Sequence, residues 1–134
     1  MILWDTSALL SGLVEGEPGH ARALNLLEGS ERNGGSLLLR PELAGALLRR
    51  GRHATLDAFS SEWRRFSLLN LDEGQAALTE RLIRRHRLKG FDAVHVAAAL
   101  TLLQSIKRPR PTFVTADRAQ AAAARAEGLR VIEL

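Results

Sequence analysis

The residues best suited to chemistry are four carboxylates that stand just after predicted strands or at the starts of predicted helices: Asp5, Glu42, Asp92 and Asp117. In a parallel sheet the carboxyl ends of the strands share one edge, and a helix that runs back against the strands begins at that edge. Two carboxylates about 4 Å apart repel by about 4 kcal/mol at an effective dielectric constant near 20, and a divalent cation resolves that conflict. Oxygen ligands without cysteine or clustered histidine favour Mg²⁺ or Mn²⁺.

Each of these acids also has a purely structural explanation. The three aspartates are good helix N-caps, and Glu42 favours the positive end of a helix. Asp72 also follows a predicted strand, but the Glu-Gly pair after it predicts a plain cap. The convergence of four acids at one edge of the sheet favours a metal-binding or catalytic role over a purely structural one. Hydroxyl side chains beside the acids are expected to orient the carboxylates: Thr6, Ser7 and Thr115.

Hydrophobic periodicity predicts five short buried strands separated by helices. The strands are predicted at residues 1–4, 36–39, 66–69, 112–115 and 129–132. Among the helices, 73–87 is expected to turn Ala76, Ala77, Leu82 and Ile83 inward, and a single helix is expected at 54–65. The stretch 93–103 is apolar on every side and predicts a helix packed on all sides. Residues 106–111 read as a basic loop broken by proline. Strands alternating with helices predict an α/β fold whose parallel sheet is covered on both faces.

The chain of 134 residues predicts one domain, 1–134, with 46% hydrophobic and 25% charged residues. No apolar run approaches the ~20 residues of a membrane span, and no basic leader precedes the first strand. Because cysteine is absent, disulfides are excluded and we expect a cytoplasmic protein. The 19 Lys and Arg against 15 Asp and Glu suggest a polyanionic partner, although arginine-rich codon usage explains that balance equally well.

The segments that carry the acids resemble the PIN domain, particularly VapC-type toxins. They are Asp-Thr-Ser-Ala-Leu-Leu at 5–10, Glu42, Phe-Asp-Ala-Val-His-Val-Ala-Ala-Ala at 91–99 and Thr-Ala-Asp at 115–117. The resemblance covers essentially the whole chain and implies a three-layer α/β/α fold with a five-stranded parallel sheet in the order 3-2-1-4-5. It departs at Arg40-Pro41, where many relatives have small polar residues, and at Gln120, where we expect no fifth ligand.

The resemblance implies a Mg²⁺- or Mn²⁺-dependent endoribonuclease that is held inactive by a VapB-type antitoxin. We expect Asp5 and Asp92 to hold the metal most directly, with Asp117 and Glu42 acting directly or through water, in hydrolysis of RNA phosphodiester bonds. The expected partners are RNA, the antitoxin and a second copy in a homodimer. The alternative is a catalytically silent PIN-like module that binds RNA or protein. Its usual sign is a missing acid, and all four are present.

Two other classes of sheet protein gather acids at the same edge. A phosphate-transfer receiver domain requires a lysine after its last long strand, and a dehalogenase-type phosphatase requires Asp-x-Asp at its first strand. Neither pattern is present.

The remaining candidate residues are basic, aromatic or apolar. Four basic residues are candidates for contact with the RNA backbone: Arg49, Arg50, Arg52 and Lys89. Arg81, Arg84 and Arg85 are candidates too, although a solvated helix face explains this second group equally well.

His95, one helical turn after Asp92, is expected to be structural, with a general-base role as the alternative. With two Trp, four Phe and no Tyr, we expect no base-stacking platform. The helices that carry Leu9, Leu10, Leu13, Leu43 and Leu47 offer apolar surface to an antitoxin or a second subunit, with core packing as the default.

Overall fold

Five short strands form one parallel sheet in the spatial order β3-β2-β1-β4-β5. The computed structural model describes residues 1–106 and 109–134. The strands are β1 (Ile2–Trp4), β2 (Asn33–Ser36), β3 (Phe66–Leu69), β4 (Thr112–Thr115) and β5 (Arg130–Glu133). Each neighbouring pair is parallel. The predicted α/β fold and strand order are therefore confirmed.

Helices cover both faces of the sheet. In the described residues they are α1 (Thr6–Leu13), α2 (His20–Gly29), α3 (Leu39–Arg49), α4 (His53–Phe59), α5 (Glu73–His86), α6 (Gly90–Ser105) and α7 (Arg118–Ala126). A 3₁₀ helix, Ser60–Arg65, leads from α4 into β3. Along these parts of the chain, no helix has the length and apolar composition that crossing a membrane requires.

The sheet separates two hydrophobic cores, because its central strands bury side chains on both faces. Trp4 and Val114 belong to the core formed with α1 to α4, whereas Leu3 and Phe113 belong to the core formed with α5 to α7. The prediction of a helix buried on all sides at 93–103 is confirmed for Ala93 to Ala99 in α6, but residues 100–103 are only half-buried. Four of the leucines that were candidates for a docking surface are instead buried in the core: Leu9, Leu10, Leu43 and Leu47. Leu13 is half-buried, and Leu48 on α3 is exposed.

The prediction for the second strand was wrong in position. We placed it at the leucine run 36–39, but β2 is Asn33–Ser36 and Leu39 begins α3. The strand lies between β1 and β3, and a side chain has little room at its two central residues, Gly34 and Gly35. A Cβ added at Gly35 would lie 2.6 Å from Leu39 Cδ1 and 2.9 Å from the Trp4 carbonyl oxygen. The glycines therefore make the strand, and of the leucine run only Leu39 is buried, in the first turn of α3, while Leu37 and Leu38 lie in the connecting turn.

Two helix predictions also need correction. The helix predicted at 54–65 ends at Phe59 and continues as the 3₁₀ helix. This tighter turn accompanies an edge-to-face cluster, in which the Trp63 ring lies 4.9 Å from that of Phe59 and 5.1 Å from that of Phe66. The predicted basic loop at 106–111 lies partly outside the described residues.

On α5, Leu82 is buried as predicted, but Ala77 is exposed. Gln75 and Thr79 take inward positions instead. Their polar groups are satisfied there, because Gln75 Nε2 donates to Thr101 Oγ1 at 2.6 Å and Thr79 Oγ1 donates to the Gln75 carbonyl oxygen at 2.7 Å.

Candidate active site

The four predicted carboxylates line one pocket of about 310 Å³ at the carboxyl edge of the sheet. Asp5 ends β1 and begins α1, and Asp117 leads from β4 into α7. Glu42 and Asp92 stand in the first turns of α3 and α6. Because α6 runs against the strands, its first turn reaches the edge at which β1 and β4 end. The fold thus brings acids from four separate helices to one place.

Helix capping accounts for only part of this arrangement. Asp5 and Asp117 each accept a hydrogen bond from the backbone N–H three residues later, at 2.9 and 2.8 Å. Asp72, outside the pocket, makes the same contact at 2.8 Å, as expected for a plain cap. Asp92 caps nothing, because it is the third residue of α6 and Lys89 occupies the cap position. The structural explanation therefore fails for Asp92.

Asp5 is a buried carboxylate, with only 1% of its surface exposed. Ser7 Oγ donates to it, 2.9 Å from Oδ1 and 2.8 Å from Oδ2, and Gln120 Nε2 donates to Oδ2 at 2.8 Å. Ser7 Oγ also accepts a hydrogen bond from the Ala116 backbone N–H at 3.0 Å, which ties α1 to the end of β4. Burial raises the pKa of Asp5 above its ordinary value, although these hydrogen bonds and the charge of His95 act against that rise. No lysine or arginine of the described residues pairs with it.

Gln120 links two of the acids. Its Nε2 lies 2.8 Å from Asp5 Oδ2 and 3.3 Å from Asp92 Oδ1. Burial raises the pKa of Asp92, and the negative charges of Asp117 and Asp5 raise it further. Asp92 therefore lies within repulsive range of both other aspartates. Sequence analysis missed this role of Gln120, although its position one turn after Asp117 on α7 was a usable signal.

Glu42 is held by Thr6 and His95. Thr6 Oγ1 donates to Glu42 Oε2 at 2.5 Å, and His95 Nε2 lies 2.6 Å from the same oxygen. Burial by itself would raise the pKa of Glu42, but the hydrogen bonds from His95 and Thr6, together with the charge of His95, outweigh burial and lower it. His95 is 2% exposed. Its contacts are those of a residue that positions Glu42, which agrees with the structural role expected from the sequence.

Ser7 is thus in place as an orienting hydroxyl for Asp5, and Thr6 serves Glu42 instead. Thr115 Oγ1 accepts a hydrogen bond from the Asp117 backbone N–H at 3.0 Å and also helps to lower the pKa of Asp5. All three predicted hydroxyls therefore contact or influence the acids.

The donor set suits a hard divalent cation, because it consists of carboxylate oxygens around a buried charge with which no lysine or arginine of the described residues forms an ion pair. One buried oxygen beside them, Gln120 Oε1, has no hydrogen-bond partner in the described part of the chain. Across 1–106 and 109–134, however, no three His, Asp or Glu side chains converge as a ready-made metal site. Glu42 is turned towards His95, and the Gln120 amide stands between Asp5 and Asp92. The oxygen donors suit a divalent cation, and the assignment of particular carboxylates as its ligands stays a prediction.

Of the predicted RNA contacts, Arg49 and Arg50 line the acidic pocket. Arg50 also pairs with Glu17 at 2.9 Å. Lys89 lines an adjoining hollow that shares Glu42 and Asp92 with the acidic pocket. Arg52 is exposed at the start of α4 and lines neither.

Comparison with sequence models of known families finds a match over most of the chain. A sequence model of the PIN domain matches residues 2–126, a range that contains all four carboxylates and Gln120. No curated protein matches the chain significantly.

Proposed function

The chain belongs to the PIN domain family, and from that premise we propose that it is a Mg²⁺- or Mn²⁺-dependent endoribonuclease, the toxin of a VapB–VapC-type pair. PIN domains are generally nucleases, and they typically use divalent metals. The observation that carries the proposal is the acidic pocket, in which Asp92 lies within repulsive range of Asp5 and Asp117 although none of the three forms an ion pair with a basic side chain of the described residues.

Asp5 and Asp92 would hold the cation most directly, with Asp117 and Glu42 completing its surroundings. A bound divalent cation supplies a lowered pKa for the attacking water and positive charge beside the phosphoryl oxygens. The chain's own residues fix the geometry. Ser7 and Gln120 orient the Asp5 oxygens by donating to them.

Glu42 stays ionised at neutral pH because Thr6 and His95 favour its charged form. Its carboxylate can therefore accept a hydrogen bond from the attacking water and orient it towards the phosphate. Arg49, at the wall of the same pocket, is placed to bind a neighbouring phosphate of the strand.

The test compares wild-type protein with Asp92→Asn on single-stranded and folded RNA, in Mg²⁺, in Mn²⁺ and in EDTA. The wild type should cleave only with metal, and Asp92→Asn should lose roughly 10²- to 10³-fold in rate, the usual effect of removing one group that stabilises transition-state charge. Asp72→Asn is the matched control, because it alters an aspartate that caps α5 away from the pocket and should leave cleavage unchanged. Cleavage that survives in EDTA, or in Asp92→Asn at the wild-type rate, would contradict the proposal.

The toxin role has its own readout. Expression of the wild type in a bacterial host should slow growth and create new RNA 5′ ends, whereas Asp92→Asn should do neither. The antitoxin, the homodimer and a cytoplasmic location belong to the same proposal. A catalytically silent binding module would instead show no cleavage with any metal.

A further inference from the structure

Phe91 is the most exposed large hydrophobic residue of the described chain, with 62% of its surface accessible. It stands in the first turn of α6 and directly precedes Asp92. Together with Glu42, Lys89 and Gly90, these two residues line a hollow of about 420 Å³. The hollow and the acidic pocket share Glu42 and Asp92. Any strand that presents a phosphate to the acids through this hollow must therefore pass the Phe91 ring.

The other phenylalanines are used in packing. Phe113 and Phe59 are buried, and Phe66 is half-buried within the aromatic cluster of Trp63. A single exposed apolar side chain is ordinary on a protein surface. The location of Phe91 is the informative feature, because its ring borders charged groups that the proposed chemistry uses.

We propose that Phe91 is a base-stacking residue, whose ring receives the nucleobase next to the RNA phosphate held at the acidic pocket. This inference rests on the proposed function and deepens it. Bases splayed out of single strands stack on aromatic side chains, and such stacking tolerates any sequence because every base has a π-face. The hollow has the volume typical of small-ligand sites, about 300–1,000 Å³.

Of the charged groups around the ring, Lys89 favours a nucleic acid, and the two carboxylates disfavour an apolar protein segment. Lys89, at the N-cap of α6, lines the same hollow and can neutralise a backbone phosphate. An apolar protein segment laid over Phe91 would instead bury the Glu42 and Asp92 carboxylates against apolar groups, which is unfavourable for unpaired charges. The composition had predicted no stacking platform. The structure provides one ring at the site, rather than the row of rings that a non-specific single-strand binder uses.

The experiment measures binding and stacking together. The probe is a mixed-sequence single-stranded RNA with 2-aminopurine in place of adenine, whose fluorescence is quenched when the base stacks. Binding is measured in an Asp117→Asn background, which blocks cleavage under the proposed function and keeps a good N-cap for α7. Phe91→Leu should weaken binding roughly 5- to 150-fold, the range for one stacked base, and should lose the protein-induced quench. Phe91→Trp should keep both, because the π-face is retained.

Leu48→Ala is the matched control, since Leu48 is 45% exposed and lines neither cavity. In the otherwise wild-type protein, Phe91→Leu should raise KM for RNA cleavage more than it lowers kcat. If Phe91→Leu binds and quenches like its parent, the ring does not touch RNA and is available to a protein partner, and the stacking proposal is wrong. Metal-dependent cleavage by Phe91→Leu with Asp117 intact would then show that the proposed function still stands. If the Asp117→Asn parent does not bind RNA and the wild-type protein does not cleave it, both proposals are overturned.

Discussion

Asp5 carries a buried negative charge, and burial outweighs the hydrogen bonds and the charge of His95 that favour its ionised form, which costs the folded state free energy. Its pKa is raised by burial, so the folded protein binds a proton more tightly than the unfolded chain does. Between the lower unfolded pKa and the higher folded pKa, stability therefore falls as the pH rises. Above the folded pKa, Asp5 is ionised in both states, and the full free-energy cost of burying its charge applies.

Asp5→Asn should consequently stabilise the metal-free protein at neutral pH by roughly 0.5–2 kcal/mol, or a few degrees in Tm. The substitution keeps the backbone cap, and a flip of the Gln120 amide would let its unpartnered Oε1 accept from the new Asn Nδ2. The gain should disappear as the pH is lowered through the folded pKa of Asp5. Thermal unfolding in EDTA across pH tests this, with the exposed cap variant Asp72→Asn as control. An unchanged or lower Tm at pH 7 would refute the expectation.

The pKa of Glu42 shifts in the opposite direction to that of Asp5. Its pKa is lowered although it is partly buried, because His95 and Thr6 favour the charged form. The stability that Glu42 contributes is present above its unfolded pKa and is lost as the pH falls through its folded pKa.

Thr6→Val removes one of the two hydrogen-bond donors to Glu42 at nearly constant volume. Because one contribution that lowers the pKa of Glu42 is lost while burial still raises it, that pKa should rise. A pH titration of the Glu42 carboxyl ¹³C resonance in metal-free buffer measures this directly. Thr55→Val, on α4 and away from the pocket, should leave the titration unchanged. A Glu42 pKa that does not move would show that His95 alone holds the carboxylate ionised.

Site residues could be predicted only where their place in the chain, after a strand or at the start of a helix, also fixes their place at one edge of the sheet. Asp5 and Asp117 follow strands, so the topology alone sends them to one edge of the sheet. The contact partners of Gln120 and His95 depend on side-chain reach between helices, which periodicity does not encode. The sequence predicts a structural role for His95 but not its contact with Glu42, and it predicts no fifth ligand at Gln120 but not that its amide donates to Asp5.

At the scale of elements, β2 shows why the leucine run misled the prediction. An apolar run indicates a buried strand when each of its side chains points into a core. Where neighbouring backbone and side chains approach an interior strand closely, however, the strand can require glycine. Gly34 meets Leu3, Met1 and the Ser67 carbonyl oxygen at 3.1 Å from a hypothetical Cβ. Strands β3 and β4, where apolar side chains do fill the cores, were predicted at their observed bounds.

Gly35→Ala should therefore destabilise the protein by roughly 1–3 kcal/mol, the usual cost of overpacking. The added methyl group would approach the Trp4 carbonyl oxygen, which is backbone and cannot move aside cheaply. Gly29→Ala is the control, because its Cβ would meet nothing within 4 Å. Urea unfolding should show a large loss for the first variant and none for the second. Equal stabilities would mean that Leu39 and β1 relax without strain.

At the scale of the whole molecule, the three-layer fold places α1, α3, α6 and α7 so that their first turns meet at one edge. A cation bound there would contact acids from elements on both faces of the sheet, and it would bind the folded chain alone. Such binding stabilises by RT ln(1 + [L]/Kd), about 2.7 kcal/mol when the ligand is at 100 times its Kd.

This gain exceeds the roughly 0.5–2 kcal/mol expected from neutralising Asp5, so the order of stabilities should reverse with metal. In EDTA, Asp5→Asn should melt above the wild type. In saturating Mg²⁺, the wild type should melt above Asp5→Asn, because the variant lacks one of the carboxylates that hold the ion. Asp72→Asn should gain as much from Mg²⁺ as the wild type does. If Mg²⁺ shifted the Tm of wild type and Asp5→Asn equally, the ion would be binding elsewhere, and the buried charge of Asp5 would need another explanation.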